Sequence, residues 1–374
     1  MGATWLGLRK RGVPTDGAAK RCAGLLEAGN ARICVLIPCR NEVRHIEATL
    51  ESVLAQTFPR KRMEIVVVDG MSNDGTRELL VSLAARHTNL RMLDNPGGKT
   101  PCALNIGIAS TTADIVVRVD AHCFIAPDYV WCCVEVLCAT GAANVGGLMR
   151  PRAENITGNA IALALRSRFG VGNGRFHYLE RLEYVDTVYL GSFRREVLLE
   201  MDGFDEELVR NQDDELNFRI RDAGYGVLLS PDVVSSYAAR GTHHAVWRQY
   251  FQYGFWKVRV IHKHPRSAQP KHLAPVALVG GLIGSLSSFE LLHQVWLLLP
   301  VVLYLSLTLL ASAIAGRRKP ASVPLLATVF PCLHLAYGVG FLLGILNLGM
   351  RLASRNHSPR SPRRTDEGPA LDLP

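Results

Sequence analysis

The sequence predicts an α/β domain built on a mostly parallel sheet, followed by C-terminal transmembrane helices. Three observations carry that expectation. Between residues 32 and 119, short β-branched runs alternate with stretches of helical period, the pattern of βαβ units with parallel pairing. The run Ile115-Val116-Val117-Arg118-Val119 ends in Asp120-Ala121-His122, and open α/β sheets bind ligands beyond the carboxyl ends of their strands. Residues 273–350 are mostly apolar, broken by Arg317-Arg318-Lys319, whereas charged and polar residues dominate up to about Arg266.

Taken in order, the chain opens with residues 1–30. This stretch holds Arg9, Lys10, Arg11, Lys20 and Arg21 but no continuous apolar core. It therefore reads as a mobile basic extension and not as a secretory signal. Residues 31–266 form the α/β domain. A first strand runs over 32–38 and stops at Pro38. Asn41 is placed to cap a helix over 42–56, where Val43, Ile46, Leu50, Val53 and Leu54 keep helical spacing. A second strand over 64–68 ends at Asp69-Gly70-Met71-Ser72-Asn73-Asp74-Gly75-Thr76, and a helix follows to about Arg86. A short strand covers 90–93. The loop Asn95-Pro96-Gly97-Gly98-Lys99-Thr100-Pro101 leads into a helix over 103–109 and then the strand ending at Asp120. Beyond it, helices are expected over 127–138, 154–169, 194–201 and 213–223, and strands over 143–149 and 184–190. Residues 168–178 are glycine-rich and basic, a candidate mobile loop.

Composition narrows the function. The nine cysteines include no Cys-x-x-Cys pair, which argues against a zinc site and a disulfide scaffold and favours buried thiols. The formal charge of +9 is concentrated at the N-terminus, beside the apolar region and in the tail. That placement suits anionic headgroups. No zinc-finger spacing or RNA-binding aromatic motif is present, so no nucleic-acid partner is expected.

Several residues stand where chemistry is expected. Residues 120 and 122 of an extended segment share a face, so Asp120 and His122 can turn to one divalent ion, and such an ion could grip a diphosphate. A plain turn with Asp120 as a cap fits the same residues. Pro38, Arg40, Asn41 and Glu42 follow the first strand, where a nucleotide base or ribose could rest. Lys99 after Gly97-Gly98 can approach a donor phosphate or stay solvated.

Asp69-Gly70-x-Ser72-x-Asp74-Gly75-Thr76, Asp120-x-His122 and Gln212-Asp213-Asp214-Glu215-Leu216, in that order, resemble an inverting family 2 glycosyltransferase of the GT-A fold. Arg118-Val119-Asp120-Ala121-His122 and the stretch Trp247 to Lys257 narrow the likeness to the succinoglycan-biosynthesis ExoA-like membrane glycosyltransferases. The resemblance spans about residues 32–264. It implies a nucleotide-sugar donor, a UDP-sugar by preference, with its base or ribose on Asp69 and with Gly70 allowing close backbone approach. It implies metal binding at Asp120; His122 replaces the usual second Asp, and imidazole suits Mn2+ better than Mg2+. It makes Asp213 the general base, with Asp214 in reserve and Gln212 in place of the family's Glu. Acids at a helix start also suit the helix dipole. Arg248, Gln249, Gln252, Trp256 and Lys257 occupy the place of a Gln-x-x-Arg-Trp element that holds diphosphate or acceptor. The same stretch, about 243–264, also suits an interfacial helix resting on headgroups.

The apolar region is long enough for three crossings at ~20 residues each. Glu290, His293 and Gln294 mark the first break. Three spans keep Arg317-Arg318-Lys319 on the side of the α/β domain but send the arginines of 351–374 across, against the positive-inside tendency. Two spans would return them. That tail, rich in Pro, Arg and Ser, is expected to be disordered. The resulting expectation is a multi-pass protein of the cytoplasmic membrane, moving sugar to a lipid-linked or saccharide acceptor on its cytoplasmic face. A processive polysaccharide synthase and a non-catalytic nucleotide-sugar-binding scaffold are the rival readings.

Overall fold

The computed structural model describes residue 24 and residues 30–153, 155–172 and 179–357. The expectations for residues 1–23 and 25–29, for part of the 168–178 loop and for the end of the tail lie outside the described residues.

Four strands open the sheet: β1 (Ile33–Cys39), β2 (Met63–Asp69), β3 (Leu90–Asp94) and β4 (Ile115–Arg118). They pair in parallel in the order β3-β2-β1-β4. The crossovers are α1 (Ile46–Leu54), α2 (Thr76–Arg86) and α3 (Thr100–Ser110). Because side chains alternate across a strand, β1 and β2 feed two separate cores. Val35, Ile37, Ile65 and Val67 pack with Ile46, Leu50 and Val53 of α1. Leu36, Val66 and Val68 pack on the other face with Ala103, Leu104 and Ile108 of α3. This double burial explains the unbroken apolar runs.

Helix α1 begins four residues later than its apolar spacing predicts. Asn41 is left-handed, at φ 55°. The backbone N–H groups of Asn41, Glu42 and Val43 donate to Ser72 Oγ, Thr76 Oγ1 and Asp74 Oδ2. These side chains of the β2–α2 loop compete successfully for donors that a helical first turn would leave unpaired. Asn41 is thus an anchor and not a helix cap.

The far half of the sheet is mixed. It contains β5 (Cys123–Ile125), β6 (Asn144–Arg152), β7 (Glu183–Tyr184), β8 (Ser192–Arg194) and β9 (Val227–Ala238). Strand β8 runs antiparallel between β4 and β6, β9 lies parallel to β6, and β5 and β7 pair antiparallel with β9. Residues 185–190, expected as a strand, are loop; β5, β8 and β9 had no counterpart in the expectation. Helices α4 (Tyr129–Thr140), α5 (Ile156–Leu165), α6 (Arg168–Val171), α7 (Arg195–Glu200) and α8 (Gln212–Asp222) complete the domain. Seven described cysteines are free.

Helix α9 (His243–Lys263) leads to α10 (Pro270–Leu292), α11 (Leu299–Gly316) and α12 (Val323–His357). Three segments, Pro270–Leu292, Val295–Gly316 and Pro320–Ala353, are long and apolar enough to cross a membrane. The third is far more buried than the other two, because α9 and α5 pack on it: Val246, Ala160 and Ile161 meet Leu326, Phe330 and Leu333.

Candidate active site

The carboxyl end of β4 carries Arg118 and, just beyond it, Asp120. Arg118 Nε lies 2.9 Å from Asp120 Oδ1. Its Nη1 contacts Oδ1 of Asp213, the second residue of α8. One buried guanidinium, 6% exposed, thus joins carboxylates 93 positions apart in sequence. Tyr189 donates to Asp120 Oδ2 at 3.3 Å. Tyr189 is held by the loop at Leu190, a buried residue at φ 49°, whose carbonyl accepts from Tyr129 Oη at 2.9 Å. A leucine in that region costs of order 1–3 kcal/mol, and such strain gathers at functional sites.

The electrostatics divide the two acids. Burial works against an ionised Asp120, but Arg118 and His122 outweigh it and hold its carboxyl below the usual range. Burial pushes Asp213 upward, Arg118 opposes, and the neighbouring Asp120 charge pushes it further. Two carboxyls whose environments separate their pKa values suit a fixed anion beside a proton acceptor.

His122 Nδ1 lies 3.0 Å from Glu42 Oε1. Burial lowers its tendency to protonate, but Glu42 and Asp120 prevail and raise its pKa. The ligand atoms of Asp120, His122 and Cys123 lie within 4.8 Å of one another. A divalent metal fits the first two. Glu42 occupies Nδ1 and leaves Nε2, the carboxylate–imidazole arrangement that orients metal-binding histidines. Burial pushes the Cys123 thiol upward, so it stays protonated and is a poor ligand. Asn41, Glu42, Asp74, His122 and Arg240 line a cleft of about 440 Å³ at this point.

Pro38 and Arg40 sit at the end of β1, beside Asp69 and Gly70. Asp69 is fully buried and bonded to Ser72 and to Arg77 Nη1, at 2.7 Å. Arg77 also reaches Asp94 at 2.9 Å. Gly70 packs under Arg40: a Cβ there would lie 3.1 Å from Arg40 Cβ. Arg40 Nη1 donates to Gly98 O at 3.2 Å, which brings the glycine loop alongside. The exposed Lys99 donates to Glu206 O at 3.3 Å.

The loop before α8 is tied to α9. Asn211, left-handed at φ 61°, donates to Tyr253 O at 2.9 Å, and Arg210 donates to Gln252 Oε1 at 3.0 Å. The ammonium of Lys257 contacts Asp214. Gln249 donates to Tyr253 Oη, Trp256 packs on Phe255, and Arg248 is exposed. Of the five α9 candidates, the structure therefore brings Lys257 and Gln252 to the α8 region and leaves Arg248 and Trp256 aside. Arg118, Tyr189 and Arg77 were missed as site residues. Arg118 carried a signal: it precedes Asp120 by two on an extended segment, and an arginine in a buried strand needs an acidic partner.

Residues 34–200 match the family described as Glycosyl transferase family 2. The chain is 29% identical over 324 residues to the succinoglycan biosynthesis protein ExoA of Rhizobium meliloti (strain 1021), covering 85% of this chain and 96% of the relative. It is 28% identical over 239 residues to the dolichyl N-acetyl-alpha-D-glucosaminyl phosphate 3-beta-D-2,3-diacetamido-2,3-dideoxy-beta-D-glucuronosyltransferase of Methanococcus voltae, covering 62% and 74%. Among solved structures, the mannosyltransferase PcManGT from Pyrobaculum calidifontis, in complex with GDP-Man and Mn2+, aligns with a TM-score of 0.54 at 22% identity, covering 91% of this chain and 98% of that one. That likeness is one of fold.

Proposed function

We propose that this chain, a membrane-associated glycosyltransferase carrying a family 2 domain, moves one sugar with inversion from a nucleotide-sugar donor, a UDP-sugar by preference, to a lipid-linked acceptor at the cytoplasmic face. The observation that carries the reading is the Asp120–Arg118–Asp213 array, which sets an ionised acid and an acid of raised pKa side by side at the carboxyl edge of the sheet. The Methanococcus voltae relative, whose name includes a dolichyl phosphate, supports a lipid-linked acceptor.

In this reading Asp213 takes the proton of the acceptor hydroxyl, whose oxygen attacks the anomeric carbon as the bond to the nucleoside diphosphate breaks. Asp69, Gly70, Pro38, Arg40, Asn41 and Glu42 form the donor shelf, with Lys99 at its rim. A divalent ion, Mn2+ or Mg2+, held by Asp120 and His122 would neutralise the departing diphosphate as a Lewis acid. Arg118 keeps Asp120 ionised and Asp213 in place.

The test is donor turnover by the detergent-purified protein across a panel of nucleotide sugars, with Mn2+, Mg2+ or chelator, beside Asp213→Asn. The expected result is metal-dependent turnover of one donor that falls about 10²–10⁴-fold in the variant, while donor affinity stays within a few-fold. Full turnover by Asp213→Asn removes the base assignment; binding without turnover, even with acceptor lipids supplied, favours the scaffold reading.

A further inference from the structure

The amino-terminal edge of the sheet, opposite the candidate active site, carries a second cleft of about 610 Å³. It opens where β1 and β2 begin and where α2 turns into β3. Arg32, Arg60, Lys61, Arg62, Arg86 and His87 line it, against a single carboxylate, that of Glu64. Glu64 is already engaged: it accepts from Thr111 and pairs with Arg91 at 3.4 Å. The Asp114 carboxylate accepts the backbone N–H of Arg32 at 2.8 Å and leaves its guanidinium unpaired. None of the five lining cations has an ion pair among the described residues. Elsewhere on the domain Arg77, Arg91, Arg219 and Arg259 each meet a carboxylate.

Neighbouring groups orient these cations without neutralising them. The Arg62 guanidinium lies 4.9 Å over the Phe58 ring, which Trp131 backs at 5.5 Å. Its Nη1 is buried and has no hydrogen-bond partner among the described residues. Arg60 Nη2 lies 3.4 Å from His87 Nδ1, and Arg86 Nη2 donates to Ser82 Oγ at 2.7 Å. Like charges gathered in a concave wall focus their field. An anion seated there relieves the repulsion and answers the buried donor.

The donors select the kind of anion. Arginine forks match pairs of phosphate oxygens, and four arginines with a lysine outnumber what one phosphate can engage. The cleft has the volume of a small-molecule site, which favours a compact ligand over an extended acidic chain. Its lining includes no residue beyond Ala113, so none comes from the apolar helices, which sets the cleft apart from the bilayer. Arg32 and Arg40 flank β1 and stand about 25 Å apart at ~3.3 Å per residue, so an anion held here does not touch the donor shelf.

We propose that this cleft binds a soluble, compact polyphosphate, a ligand with two or more linked phosphate groups, at a site separate from the transferase centre.

The probe is inorganic triphosphate, titrated into the full chain in neutral-lipid nanodiscs at fixed ionic strength with chelator present. The expected result is saturable binding against which inorganic phosphate competes at least about tenfold more weakly. Lys61→Gln and Arg62→Gln each weaken it by about fivefold or more, whereas Arg40→Gln, on the donor shelf, leaves it unchanged. Lys61 is exposed, so its variant tests the site even where Arg62→Gln disturbs the packing on Phe58. No saturable binding, or an unchanged affinity in Lys61→Gln, overturns the proposal. A loss confined to Arg40→Gln places the triphosphate on the donor shelf and also overturns it. Equal competition by inorganic phosphate reduces the cleft to a generally cationic surface. Equal competition by an oligoglutamate peptide or by phosphatidylglycerol vesicles gives the face to an acidic protein segment or to lipid, and each of these three results overturns the assignment.

Discussion

Arg118 satisfies two acids at once, and its loss exposes what it holds. With its side chain 6% exposed against Asp120 and Asp213, Arg118→Met leaves two partly buried carboxylates facing each other. Removing one partner of a buried ion pair costs about 3–5 kcal/mol, so the thermal midpoint of the purified protein should fall by several degrees. The pH profile should shift as well. Burial already raises the Asp213 pKa, so its basic form disappears as pH falls through a value above the usual ~3.9. The acid limb of kcat/KM in the wild type should therefore lie above the ordinary carboxylate range. Arg118→Met, which removes the opposing cation, should move that limb further up. A limb that stays put when Arg118 is removed would assign the titration to another group.

At the scale of elements, local periodicity located the βαβ half well and the mixed half poorly. Strands β1, β2 and β4 are buried on both faces, and their apolar runs declare them. Strand β9 contains Pro231 and Asp232, which read as a break, yet it continues past them because its register with β6 shifts at Gly147/Leu148. That irregularity has a steric requirement: a Cβ on Gly147 would lie 1.8 Å from the Val233 carbonyl oxygen. Backbone cannot yield as a flexible side chain does. Gly147→Ala should cost at least about 1–3 kcal/mol and lower soluble yield, whereas the same change at Gly224, which has open space but a left-handed φ of 88°, should cost about 1 kcal/mol. Equal melting temperatures for the two variants would contradict the steric account.

Over the whole molecule, α9 joins the start of α8 to the apolar helices. Its amphipathic sequence suits a helix lying on headgroups, and the structure packs one side of it along α12. The approach is close: a Cβ on Gly254 would lie 2.1 Å from Tyr337 O, one on Gly340 2.1 Å from Phe251 O, and one on Gly344 2.7 Å from Phe255 O. Gly340-x-x-x-Gly344 is the small-residue spacing that lets helix backbones meet. The same helix, through Gln252, Tyr253 and Lys257, holds the loop and first turn of α8 where Asp213 and Asp214 sit. Gly340→Val should therefore do more than destabilise. It should lower sugar transfer by about tenfold or more while nucleotide-sugar affinity, which the proposed reading assigns to the ends of β1 and β2, changes little. Acceptor kinetics beside nucleotide-sugar titration would check this, and a variant that folds with unchanged kcat/KM for acceptor would separate the α9–α12 contact from the site.

Sequence alone determined what depends on neighbours in the chain. The strand ends carrying Asp69 and Asp120, the apolar helices after residue 270 and the acids opening α8 are all local patterns of period or of charge at a helix start. What tertiary structure decided was every relation across long separations. Arg118 meets Asp213, Glu42 orients His122, Lys257 meets Asp214, and the second half of the sheet mixes antiparallel and parallel pairs. The physical reason is that a buried charge must find a partner wherever the fold supplies one, and no local pattern records which distant residue that will be.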